Sequence, residues 1–185
     1  MTDEEQVDEV ESEDSLKVSI KCVSTKTTAF IISLSVFLVA FLDQWTKYLI
    51  VTSLTLGEQI EIIPGFFNLT LAYNPGAAFG MMADLPDGTR QLVLAGVTLL
   101  ALCVVFYFLA KDYYHDVVAQ SALGLILGGA LGNIIDRVRI GVVVDFLDVY
   151  LKNYHWPSFN VADSAICIGV GILVFRKPAS RARHD

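Results

Sequence analysis

The sequence predicts a membrane protein, mainly α-helical, with four transmembrane helices and a small extracytoplasmic β-sheet. Three observations carry that expectation. Of the 185 residues 54% are hydrophobic and 18% charged, below the roughly 25% charged that is usual in soluble domains. The mean hydropathy is +0.55, and four apolar segments can be drawn as helices. The polar stretch after the first of them carries strand and turn signals.

The formal net charge of −7 says little about partners once it is located. Asp3, Glu4, Glu5, Asp8, Glu9, Glu11, Glu13 and Asp14 supply 8 of the 20 acids, so the other 12 face 13 basic residues. Residues 1–26 are therefore expected to be an acidic, disordered cytoplasmic tail with a basic end beside the membrane. Residues 27–177 form the four-helix domain and 178–185 a short cytoplasmic tail. No cleavable signal peptide is expected, because the first apolar run follows a long polar lead and has charges where a small-residue cleavage site would lie. Cys22, Cys103 and Cys167 are too scattered for a disulfide framework and suit packing. His115, His155 and His184 show no ligand spacing, so no metal is expected.

The first span runs from about Thr28 to Thr52 and contains AFIISLSVFLVAFL followed by the polar DQWTK. Outside it, IEII and then FNLTLAY, with Phe67, Leu69, Leu71 and Tyr73 alternating, read as strands ending at the turn formers Asn74, Pro75 and Gly76. The second span, Gln91 to Ala110, carries no charge over a length that crosses a hydrocarbon core of about 30 Å. The third, from about Val117 to Asp136, is rich in small residues that permit close helix packing. The fourth, from about Val161 to Phe175, is short. Lys17, Lys21 and Lys26 before the first span, and Arg176, Lys177, Arg181 and Arg183 after the fourth, place both termini in the cytoplasm. The segments 53–90 and 137–160 are then outside.

Charged residues in such a chain are candidates for function. At 1.5 Å per residue Asp43 lies about 22 Å along a helix starting near Thr28, and Asp136 about 28 Å along the third. Asp163 opens the fourth span and Asp145 lies between them, so four carboxylates converge on one outer level. Asp43 and Lys47, four apart on one helix face, suit a structural ion pair. Asp136 with Arg137 suits a helix-end anchor. Asn160 is placed to cap the fourth helix, with Asp163 as the capping-box acid. Asp145, among Val142, Val143, Val144, Phe146 and Leu147, lacks any such structural reason, and Asp148 is expected to be exposed and incidental. Two carboxylates close together in a dry site share one proton, which is aspartic-protease chemistry. The helix N-terminus favours ionised Asp163, while the apolar run favours protonated Asp145.

DQWTK at Asp43 to Lys47, NPGAAFG at Asn74 to Gly80, GNIIDR at Gly132 to Arg137, VVDF at Val143 to Phe146 and FNVADSAI at Phe159 to Ile166 resemble the motifs of the bacterial lipoprotein signal peptidases (signal peptidase II). The match runs in order from about Phe30 to Phe175 and leaves out the acidic tail. The resemblance implies an intramembrane aspartic endopeptidase that cleaves prolipoprotein signal peptides before a diacylglyceryl-modified cysteine. It makes Asp145 and Asp163 the catalytic pair. Asn133, Asp136, Arg137 and Asn160 would support the pair or hydrogen-bond the substrate, Asn74 would lie near the site, and Asp43 with Lys47 would brace the first helix. It implies no cofactor and no metal. The partners would be lipidated prolipoproteins and membrane lipid, not nucleic acid, and the chain would act as a monomer in the bacterial inner membrane. A proton-coupled transporter is the main rival reading, but no internal repeat or broken helix supports it. A scaffold in which every aspartate is a cap or tether leaves Asp145 unexplained.

Overall fold

The computed structural model describes residues 25–76 and 116–176, with Gly88, Thr89, Val93, Gly96, Leu100, Cys103 and Tyr107. The acidic tail and the C-terminal tail lie outside the described residues. So does most of the predicted second span, although Val93, Gly96, Leu100, Cys103 and Tyr107 within it are helical. The described elements are α1 (Thr25–Ser53), β1 (Gln59–Ile63), β2 (Phe67–Asn74), α2 (Val117–Ile140), β3 (Val143–Leu151), β4 (Tyr154–His155) and α3 (Val161–Phe175). By length and composition α1 and α2 can each cross a membrane.

Each boundary has a local cause. The Asp116 carboxylate accepts the Val118 and Ala119 N–H groups and starts α2, satisfying donors that a helix leaves free at its first turn. The third span was expected to end at Asp136, but α2 runs one turn further. Nothing between Arg137 and Ile140 breaks a helix, and the stop is Gly141, whose φ of 78° is left-handed and whose N–H reaches the Arg137 carbonyl. Asn160 caps α3 in the expected capping box. The early start of α1 puts Asp43 about 27 Å along it, level with Asp136.

The helices pack through small residues that fix their directions. Gly124 lies against Ser35 and Gly132 against Asp43, so α1 and α2 run parallel; Gly129 lies against Ala162 and Gly169 against Ala122, so α3 runs antiparallel to α2. At Gly132 a Cβ would stand 2.5 Å from Asp43 Oδ2, and at Gly129 it would stand 2.4 Å from the Ala162 carbonyl oxygen. On the outer face of α1 the exposed rings of Phe37, Phe41 and Trp45 stack at 6.0 Å between centroids, a surface suited to hydrocarbon and costly in water. Cys103 and Cys167, expected to pack, are exposed instead.

At the other end of α1 sits an antiparallel sheet in the order β1-β2-β3-β4. β1 and β2 match the strand signals. β3 and β4 carried no strand expectation, because Val143, Val144, Asp145 and Phe146 are all buried and a strand covered on both faces shows no alternation to read. Leu71, Val144 and Phe146 pack on Ile50 and Leu54 of α1, which seats the sheet on the helices. Phe159 then pairs with Leu147, carrying the chain from β4 back along β3 to the start of α3.

Asp148 corrects another expectation. It is only 3% exposed, and β3 pairing places it opposite Asn68, whose Nδ2 donates to it at 3.0 Å while His155 Nδ1 lies 2.9 Å away. It pins β2, β3 and β4 together.

Because the atom facing Gly129 is backbone, it cannot move aside, so Gly129→Ala should destabilise the fold by about 1–3 kcal/mol. Gly171→Ala, where a Cβ meets nothing within 4 Å, should be neutral or stabilising. Thermal unfolding of the detergent-solubilised protein checks both.

Candidate active site

A buried ammonium organises the junction where α1, α2 and α3 meet the sheet. Lys47 is 3% exposed and its three N–H groups meet three acceptors: Asp43 Oδ2 at 2.7 Å, Asp136 Oδ2 at 2.8 Å and Asn133 Oδ1 at 3.1 Å. Asp43 and Lys47 are i and i+4 on α1, the spacing that pairs them. Asp43 and Asp136, 0% and 5% exposed, each accept a further donor from another element. Asp43 Oδ1 accepts the Ala162 N–H of α3 at 2.9 Å, and Asp136 Oδ2 also accepts the Val144 N–H of β3 at 3.2 Å. The expected Asp43–Lys47 ion pair is therefore present, and the contacts around it reach beyond the first helix.

Gln44 belongs to this brace and was not singled out from the sequence. Its Nε2 reaches Asp136 Oδ1 at 2.8 Å, the Gly132 carbonyl at 3.1 Å and Asp43 Oδ2 at 3.3 Å. The available signal was an uncharged amide inside an apolar span, a residue type that bonds between membrane helices.

Above the brace lie Asp145 on β3 and Asp163 on the first turn of α3, joined through two amides. Asn160 Nδ2 donates to Asp145 Oδ1 at 2.7 Å and to Asn133 Oδ1 at 3.2 Å, and Asn133 Nδ2 donates to Asp163 Oδ1 at 2.8 Å. Asn74, at the end of β2, donates to Asp145 Oδ2 at 2.9 Å. The Asn160 backbone N–H reaches Asp163 Oδ2 at 3.3 Å. Asp145 is 2% exposed and Asp163 is half-buried. Burial pushes the Asp145 carboxyl up to about 6; the Asn74 hydrogen bond opposes the rise, and the neighbouring Asp163 charge adds to it.

Arg137 is half-buried in the last turns of α2, and its Nη1 lies 3.5 Å from the Asn133 carbonyl. Its buried Nε has no hydrogen-bond partner among the described residues. All nine candidate residues thus fall in one place: Asp43, Lys47 and Asp136 in the brace, with Asn74, Asn133, Arg137, Asn160, Asp145 and Asp163 around the carboxylate pair. Asp148 lies apart, within the sheet.

Removing one partner of a buried ion pair leaves the other charged and uncompensated, at a cost of about 3–5 kcal/mol. Asp136→Asn leaves Lys47 paired with Asp43 alone, so it should destabilise the folded protein by no more than about 3–5 kcal/mol, lowering its yield and melting temperature, while its folded fraction keeps measurable turnover. Thermal unfolding, with activity normalised to folded protein, separates the two effects.

Comparisons with known proteins give the family. The family model described as Signal peptidase (SPase) II matches residues 35–177. A lipoprotein signal peptidase of Syntrophus aciditrophicus is 48% identical over 137 residues, covering 74% of this chain and 85% of its own. One from Geobacter sulfurreducens is 50% identical over 132 residues, covering 71% and 81%. A bacterial membrane enzyme solved by the in meso method at 2.3 Å superposes with a TM-score of 0.66 at 38% identity, covering 81% of this chain and 86% of that one. The chain belongs to the signal peptidase II family.

Proposed function

We propose that Asp145 and Asp163 are the catalytic pair of an intramembrane aspartic endopeptidase. The enzyme removes signal peptides from prolipoproteins, and cleavage falls before the diacylglyceryl-modified cysteine. The observation that carries the assignment is the contrast between carboxylates: Asp43 and Asp136 are bonded to the Lys47 cation, whereas Asp145 and Asp163 receive only neutral amide and backbone donors. Such a pair keeps a shared proton and can exchange it.

In this reading Asp163 is the ionised base and Asp145 the acid. Asp163 takes a proton from a water held between them as that water attacks the scissile carbonyl, and Asp145 donates to the developing oxyanion. No covalent intermediate forms. Asn160 and Asn133 hold the two carboxyls in place, Asn74 holds Asp145, and the buried Arg137 Nε is available to a substrate carbonyl. The chemistry calls on no cofactor or metal.

The same proposal places the fold in the bacterial inner membrane as four spans, acting as a single chain with both termini cytoplasmic. The parallel run of α1 and α2 supports a returning span between them, and Lys26 and Arg176 stand at the helix ends away from the sheet. The pair then sits near the extracytoplasmic face. That level suits a substrate whose acyl chains occupy the outer leaflet.

Asp145→Asn and Asp163→Asn should each lower turnover of a lipidated prolipoprotein by about 10²–10⁴-fold, the usual share of a positioned acid or base, without loss of folded protein. Normal processing by either variant sinks the assignment. The acid must be protonated, so activity falls as pH rises through the apparent pKa of the pair. Asn74→Ala removes a hydrogen bond that favours the Asp145 carboxylate, so the alkaline limb of kcat/KM should move to higher pH.

A further inference from the structure

We infer that Lys47 is a positioning residue for the reaction: acting through Asn133 and together with Asn160, it holds the amide nitrogen toward Asp163 and so favours Asp163 as the aspartate that carries the negative charge of the pair. The inference rests on the Asp145–Asp163 assignment and goes beyond the bracing role of Lys47.

An ammonium group donates hydrogen bonds and accepts none. Lys47 Nζ faces Asn133 Oδ1 at 3.1 Å, and the same oxygen takes a second donor, Asn160 Nδ2, at 3.2 Å. Rotating the Asn133 amide by half a turn would set its own N–H groups against both donors. The oxygen is thereby held toward Lys47, and Nδ2 is left on Asp163 Oδ1 at 2.8 Å. A donor at that point suits a carboxylate. With the amide reversed, Asp163 would have to hold a proton to bond the oxygen facing it, and the base would be blocked. Asn160 is oriented independently, because its Oδ1 accepts the Asp163 N–H at 2.9 Å. Asn133 is thus the amide whose orientation Lys47 fixes together with Asn160.

The charged groups facing this arrangement are Asp43 and Lys47 of α1, Asp136 and Arg137 of α2, Asp145 of β3 and Asp163 of α3. Removing Lys47 alone would unbalance Asp43 and Asp136, so the informative change keeps the charge constant. Lys47→Gln combined with Asp43→Asn removes one positive and one negative charge and leaves Asn133 facing an amide, which can donate or accept.

The test uses the full chain in detergent with a synthetic diacylglyceryl-modified prolipoprotein peptide. In the double variant kcat should fall about tenfold with KM little changed, and the acidic limb of the pH–kcat profile should rise by about one unit, the scale of one hydrogen bond to a carboxylate. Lys47→Arg, still a donor only, should keep the limb in place. A folded double variant with the wild-type limb overturns the inference. Should that variant not fold, Asn133→Ala decides: the limb must rise there too, and an unmoved limb overturns the inference equally. Asp163→Asn runs alongside. An active Asp163→Asn enzyme refutes the catalytic pair itself, whereas an inactive one with an unmoved limb in the other variants refutes only the part assigned to Lys47.

Discussion

A lysine cation buried at the meeting point of three helices must find all its solvation within the protein, since neither hydrocarbon nor a dry interior supplies any. Lys47 does so with one acceptor on α1 and two on α2. Those acceptors then spend their other lone pairs on the Ala162 N–H at the start of α3 and the Val144 N–H on β3. One cation therefore sets the axial register of the helices against each other and against the strand that carries Asp145. Gly132 is part of the same constraint, because any side chain there would occupy the space of Asp43.

The four carboxylates nearest the site divide by what surrounds them. Asp43 and Asp136 are held by a cation, by Gln44 and by backbone donors, and their lone pairs are committed. Asp145 and Asp163 receive a donor or two each, all neutral, and lie against one another's charge. A committed carboxylate holds structure, while a lightly held pair in a low-dielectric setting retains a proton to give and a lone pair to take one. The same residue type stands in two different settings a few residues apart because the folded surroundings differ.

The cost of this design falls on Asp145. Its carboxyl sits in a buried strand between Val144 and Phe146 and is raised to about 6 by that burial. A carboxyl so raised disfavours the folded state once the pH passes the ordinary carboxylate range, and the cost grows until the pH reaches about 6. The core of Ile50, Leu54, Leu71, Val144 and Phe146 beneath the sheet offsets that cost and keeps the strand from shifting.

Much of this was legible in the chain alone. Apolar length marked α1, α2 and α3; the i, i+4 spacing marked the Asp43–Lys47 pair; Asn160 and Asp163 marked a capping box; and the lone Asp145 in an apolar run marked a carboxyl that holds its proton more tightly than usual. These are local signals, set by helix period, capping chemistry and desolvation, and they survive without tertiary context. What only the tertiary structure decided was everything that depends on which groups meet across distant elements. β3 gave no alternation because both its faces are covered, Asp148 became buried once Asn68 paired opposite it, and Gln44 gained its partners only where α1 and α2 touch. The orientation of Asn133 belongs to this second kind, because it depends in part on a lysine 86 positions away that only the packed helices bring within reach.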